Sequence, residues 1–195
     1  MLRRLYLWTL EKCGHPHAER WLFGISFTEA SFFPIPPDVL LAPMCLARPD
    51  RALRYALVCT IASVLGALFG YAIGMFLFET IGRAILDFYG AGAKFEAFAG
   101  DFNRHGALIV FLAGFTPLPF KVITIAAGAT AMPLWLLLAA GFVSRAARFF
   151  LVAILLWKFG EPMRGFIDRN FGWLTTAFGV LLVGGFVVIG MLGAA

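Results

Sequence analysis

Two segments of this chain each set a charge two residues after a Pro-x-Pro break, inside sequence that is otherwise apolar. The first is Phe33-Pro34-Ile35-Pro36-Pro37-Asp38. The second is Thr116-Pro117-Leu118-Pro119-Phe120-Lys121. The two charges have opposite sign, Asp38 against Lys121. Proline removes a backbone donor and breaks or kinks a helix. In a bilayer such irregular backbone is tolerated only where protein or water covers it. Paired interruptions at corresponding positions of two halves point to a transport site.

Three more ionisable residues fall in apolar sequence: Glu29, Arg145 and Arg148. A charge at the bilayer centre costs ~2.5–3.5 kcal/mol on the insertion scale, so such residues pair or line a wet cavity. Arg145 and Arg148 are three apart and share one helix face. Their planar forks suit a phosphate or a carboxylate. The half-helix after each break adds a positive end directed at the break. Glu29 is the first candidate for a proton-carrying acid, because its segment is otherwise apolar and burial disfavours a charged carboxylate. The five residues Glu29, Asp38, Lys121, Arg145 and Arg148 are therefore the expected substrate or proton path. The competing reading is a set of ion pairs that only hold the structure together. For Glu29 the alternative is a contact with an interfacial base such as Arg20.

The composition sets the class. Of 195 residues 61% are hydrophobic and 14% charged, and the mean hydropathy is +0.87. Soluble domains are ~45–50% apolar. A single integral membrane domain is expected. The net charge of +5 comes from basic residues scattered singly at the ends of apolar stretches, so no nucleic-acid partner is expected. Cys13, Cys45 and Cys59 lack framework or metal spacing and read as reduced, buried apolar residues. The start of the chain runs into Glu11, Lys12 and His15 without a small-residue cleavage site, so no cleaved leader is expected. Cys13, His15, His17 and Glu19 are a weak metal candidate; Pro16 constrains the pair, and no metal or other cofactor is expected. No Ser-His-Asp order, nucleotide loop or metal-enzyme motif is present, so no catalytic residues and no enzymatic activity are expected.

The elements that must position the five charges follow from the apolar pattern. Residues 1–20 read as an interfacial amphipathic helix. Residues 21–47 are too short for two crossings of ~20 residues each and read as a first re-entrant hairpin, broken at Pro34, Pro36 and Pro37. Residues 52–79 make a transmembrane helix with Gly66, Gly70 and Gly74 on one smooth face for close packing. Residues 80–105 alternate charges with aromatic and aliphatic residues and read as interfacial amphipathic helices. Residues 106–131 form the second hairpin, broken at Pro117 and Pro119. Residues 133–158 and 173–195 are further spans. The fold class expected is all-α: two inverted re-entrant hairpins, about three transmembrane helices and interfacial helices.

This layout divides the basic residues. Arg3, Arg4, Lys12, Arg20, Arg48, Arg51, Arg54, Lys158, Arg164 and Arg169 fall on one side, and Arg83, Lys94 and Arg104 on the other. The bias predicts a cytoplasmic amino terminus and an external carboxyl terminus.

At these residues the chain resembles the DedA family, also called VTT-domain or SNARE-associated Golgi proteins, and its small YqaA-like branch. The resemblance rests on Glu29 with Phe33-Pro34-Ile35-Pro36-Pro37-Asp38, on Gly66, Gly70-Tyr71 and Gly74, and on Gly114-Phe115-Thr116-Pro117-Leu118-Pro119-Phe120-Lys121. Ser144-Arg145 and Arg148-Phe149 add to it, and it covers roughly residues 20–160. It implies inverted re-entrant hairpins and a role in moving lipids between leaflets. The implied substrates are phospholipids or a polyprenyl phosphate carrier, with dependence on the proton gradient. One departure is that Gly114 stands where the wider family usually carries Arg, and Arg145 and Arg148 are placed to supply that charge from the next helix.

The expected function is a flippase or scramblase for an anionic lipid in a bacterial inner membrane, with membrane lipids as partners. The alternatives are a proton-coupled transporter of ions or small solutes, and a non-transporting protein that organises partners or lipids. The glycine face leaves open whether the chain works alone or as a homo-oligomer.

Overall fold

The computed structural model describes residues 18–116 and 118–160. Most of the expected amino-terminal helix, the last expected span at 173–195, Pro117, and the Cys13, His15 and His17 group lie outside the described residues.

Among the described residues every regular element is helical. Helix α1 (Ala18–Ser31) ends where the prolines begin. The residue before a proline is pushed out of helical geometry, and three prolines within four positions keep Phe32–Pro36 non-helical. Helix α2 (Asp38–Ala47) restarts directly after Pro37. A short 3₁₀ turn (Pro49–Arg51) leads into α3 (Ala52–Leu77). The second half repeats this arrangement. Helix α6 (Gly106–Phe115) stops at Thr116, whose backbone is extended, and α7 (Phe120–Ala129) restarts after Pro119. Helix α8 (Leu134–Gly160) follows a tight turn in which Ala131 has φ 51°.

Two helical stretches are long and apolar enough to cross a membrane: Pro49–Phe88 and Leu134–Gly160. The first does not stop near residue 79. A π turn (Phe78–Gly82) carries it on into α4 (Arg83–Phe88), 40 residues in all. At 1.5 Å per residue that is ~60 Å, about twice a ~30 Å hydrocarbon core. Glu79 and Arg83, four apart, pair at 2.7 Å and support the helix where polar residues begin. Gly90, at φ 59°, then reverses the chain into α5 (Gly92–Arg104). Phe95 stacks back on Phe78 at 4.6 Å. Ile81, Ile85, Phe88, Tyr89 and Phe98 remain exposed, so this helical pair carries apolar residues on its outside.

Helix α3 is the hub: α1 packs along one part of it and α7 along another, and α1 and α7 touch each other. The small residues make this approach close. A Cβ at Gly66 would strike the Phe27 carbonyl, one at Gly70 the Thr124 hydroxyl, and one at Gly74 the Ile125 carbonyl. From the other side a Cβ at Gly128 would strike the Tyr71 carbonyl. The glycine face is thus filled from within the chain, by both broken-helix units. Hydroxyls add direct links, as is common between membrane helices. Ser26 donates to the Cys59 carbonyl at 2.8 Å and Ser31 to the Gly66 carbonyl at 3.0 Å. Thr124 donates to the Ala30 carbonyl at 3.0 Å, tying α7 to the end of α1.

A backbone carbonyl cannot step aside as a side chain can. Alanine at Gly74 or Gly128 is expected to cost about 1–3 kcal/mol through overpacking. Gly24, with open space where a Cβ would be, is the control, and Gly24→Ala is expected to stay within about 0.5 kcal/mol. Unfolding midpoints of the three purified variants in one detergent check this.

The buried apolar residues form two clusters. One joins α1, α2, α3 and α8 through Leu22, Leu41, Met44, Tyr55, Cys59 and Phe149. The other joins Ala30, Ala67, Val110, Phe120, Ala127 and Leu137. Along α3 the residue between them is Ser63, and along α8 it is Arg145. The polar site sits at this seam.

Candidate functional site

Helix α8 presents Arg145 and Arg148 on one face, and each meets a different acid. The Arg145 guanidinium donates through Nη2 to Glu29 of α1, and through Nε to the Ser63 hydroxyl of α3 at 2.7 Å. Two aromatic rings face its Cζ. The Phe120 centroid is 5.0 Å from Cζ and the Phe149 centroid 4.7 Å. Phe149 is one helical turn along α8 from Arg145, and Phe120 is the residue at which α7 restarts. Arg145 is therefore paired with an acid and flanked by two aromatic rings, an arrangement that suits a guanidinium better than an ammonium.

Arg148 reaches both breaks. Its Nη2 donates to Asp38 Oδ2 at 2.6 Å, and its Nη1 donates to the Thr116 carbonyl at 2.6 Å. Asp38 is the first residue of α2. Thr116 follows the last residue of α6, where the prolines have removed the helical partners of the final carbonyls. One guanidinium thus joins the restart of one broken helix to the end of the other. Asp38 is the acid in the first turn of α2, where the helix dipole favours a negative charge.

Exposure separates the two pairs. The Arg145 and Glu29 side chains are 2% and 12% exposed. Arg148 and Asp38 are 16% and 28% exposed. Exposed apolar residues lie near the second pair along the chain: Phe33, Ile35 and Val39 on either side of Asp38, and Phe115 and Val122 around the second break. Lys121 is half-buried at the start of α7 and enters no ion pair among the described residues. Four of the five expected path residues are therefore brought together as two salt bridges on α8, and Lys121 joins neither. Arg20 makes no salt bridge to Glu29; its neighbour Glu19 pairs with Arg54 at 2.8 Å.

Gly114 is explained by the same helix. A Cβ there would strike the Ser144 hydroxyl, so α6 leaves no room for a side chain next to Arg145. The charge that stands near this position comes from α8 instead.

From the sequence, neither Ser63 nor the two rings near Arg145 is assigned this role. Phe149 could have been found from its four-residue spacing to Arg145. Ser63 could not, because it lies 82 residues from its partner. Ser63→Ala is expected to leave Nε of a buried guanidinium without an acceptor. The cost is about 1–3 kcal/mol, and a lowered unfolding midpoint with intact helical circular dichroism checks it.

Comparison with known proteins adds a family. The model of the VTT domain matches residues 30–158, which hold both breaks and three of the four paired charges, with Glu29 one residue before the matched span. An uncharacterized protein of Haemophilus influenzae is 40% identical over 181 residues, covering 91% of this chain and 93% of the relative. An uncharacterized protein of Histophilus somni is 37% identical over 182 residues, covering 91% and 94%. An uncharacterized protein of the archaeon Methanocaldococcus jannaschii is 30% identical over 127 residues, covering 65% of this chain and 76% of its own. No solved structure matches.

Proposed function

The chain belongs to the VTT-domain family, and from that premise we propose that it is a lipid flippase or scramblase. Its substrate is an anionic phospholipid or a polyprenyl phosphate, moved between the leaflets of a bacterial inner membrane. The two broken-helix units are re-entrant and inverted. Their arms of 10–14 residues are ~15–21 Å long, enough to reach mid-membrane and return but not to cross.

The observation that carries this reading is the half-open Asp38–Arg148 pair, flanked by exposed apolar residues of both breaks. A headgroup phosphate fits the guanidinium fork. Its acyl or prenyl chain fits Phe33, Ile35 and Val39. A small solute has no use for the apolar border, whereas an amphiphile uses both parts. Arg145–Glu29 acts differently: sealed and paired, it holds α1 and α8 together, so that the open pair is held in place. Transport by rocking one unit against the other is the simplest route for inverted repeats.

The test is to reconstitute the full chain in liposomes and follow two probes in one sample. One is a leaflet-accessible labelled phosphatidate, the other an entrapped small anion. Transfer of the lipid without loss of the solute supports the reading. Loss of the solute without lipid transfer would replace it with the solute-transporter reading, and neither movement would leave a membrane-organising protein.

A further inference from the structure

We propose that Asp38 and Arg148 form an exchange latch: a phosphate headgroup takes the Arg148 guanidinium, and Asp38, left without its cation, takes up a proton. This rests on the lipid reading above and names the acid that couples proton uptake to headgroup binding.

The latch follows from how the two side chains are used. Arg148 divides its fork between Asp38 Oδ2 and the Thr116 carbonyl, both at 2.6 Å. Asp38 uses only that one oxygen. Its Oδ1 is buried and has no hydrogen-bond partner among the described residues. A carboxylate in this state has a single donor, and a buried acceptor without a partner is costly. Titratable groups of two helices face Asp38 among the described residues. From α8 come Arg148 and Arg145; from α3 comes the Cys59 thiol. Lys121, at the start of α7, makes no salt bridge to it. Arg145 is already committed to Glu29 and Ser63 and is flanked by two rings. When Arg148 turns to a phosphate oxygen, Arg145 is not free to replace it.

The exchange balances. The N–H···O bond from Nη2 to Asp38 is broken and one to a phosphate oxygen forms. A proton from water makes an O–H bond on Asp38. The guanidinium keeps its charge throughout. A singly charged headgroup therefore enters with one proton, and the site's net charge does not change, which matters where charge is expensive. Releasing the Thr116 carbonyl in the same movement uncouples the two breaks. Glu29 cannot serve in this way, because its partner is sealed. The coupling acid is Asp38, not the residue in the more apolar segment.

The experiment is difference infrared spectroscopy on the full chain in lipid nanodiscs, titrated with a short-chain phosphatidate and, separately, with inorganic phosphate. The expected result is growth of a carboxylic-acid C=O stretch as phosphatidate binds. Growth persists in Glu29→Gln and disappears in Asp38→Asn. Growth with inorganic phosphate as well would still support the latch and show that the phosphate alone is read. Should Asp38→Asn not fold, wild type carrying heavy-carbon carboxyl-labelled aspartate decides: a band that shifts supports the latch, and one that does not overturns it. Phosphate bands that shift on binding with no carboxyl growth, or growth lost only in Glu29→Gln, would overturn the latch and leave the lipid reading standing. Phosphate bands unperturbed by either probe would overturn both.

Discussion

Arg145→Gln is expected to be among the most destabilising single changes in this protein, at about 3–5 kcal/mol. The figure follows from what is left behind. Glu29 is nearly enclosed, and Arg145 is its salt-bridge partner. Without the guanidinium, a carboxylate stays at the seam between the two apolar clusters. The Ser63 hydroxyl loses its donor, and Phe120 and Phe149 lose the guanidinium they face. Removing both charges at once has a different outcome. Well-packed apolar replacement of a buried ion pair is often neutral, so Glu29→Gln with Arg145→Met is expected to recover most of the lost stability. In the proposed reading this pair is a strut and not the headgroup site, so the double variant is also expected to recover most of the lipid transfer. Unfolding midpoints in detergent measure the first expectation. A double variant no more stable than Arg145→Gln would contradict the strut.

Arg148 has the opposite profile. Arg148→Gln is expected to cost about 1–3 kcal/mol, because Asp38 and the Thr116 carbonyl lose a donor but both lie near the surface of the site. Its effect on transfer is expected to be near-complete loss. The guanidinium is the only cation here that is both partly open and shared between the breaks. Arg148→Lys keeps the charge but cannot donate in two fixed directions, and is expected to retain stability while losing most transfer. The two arginines, three residues apart on one helix, thus separate into one that mainly affects folding and one that mainly affects function. Paired measurements of midpoint and transfer rate on each variant expose that separation.

Much of this was legible before any coordinates. Each Pro-x-Pro break is written in the chain, because proline's missing donor and its clash with the preceding residue act locally. Helix α8 and the apolar run of α3 are long enough to be read by length alone. The extent of the first long helix was not. Glu79, Arg83 and Asp87 look like the end of a span, yet helix propensity and the Glu79–Arg83 pair carry the helix through a π turn to Phe88. The five charges at membrane depth stand out by cost, but their partners do not. Glu29 and Arg145 are 116 residues apart, and Asp38 and Arg148 are 110 apart. Only the packing of α1, α2 and α8 against α3 brings them together. The glycine face announced a close contact; that both broken-helix units fill it from within one chain is a property of the three-dimensional arrangement.

The central claim is that a lipid phosphate passes through the Asp38–Arg148 site. Its most direct test is the initial rate at which a labelled phosphatidate changes leaflet in proteoliposomes, for wild type, Asp38→Asn and Arg148→Gln, each shown to be folded. The account predicts transfer by wild type and little above protein-free liposomes for either variant. Wild-type rates in both variants would contradict it and leave the two pairs as struts alone.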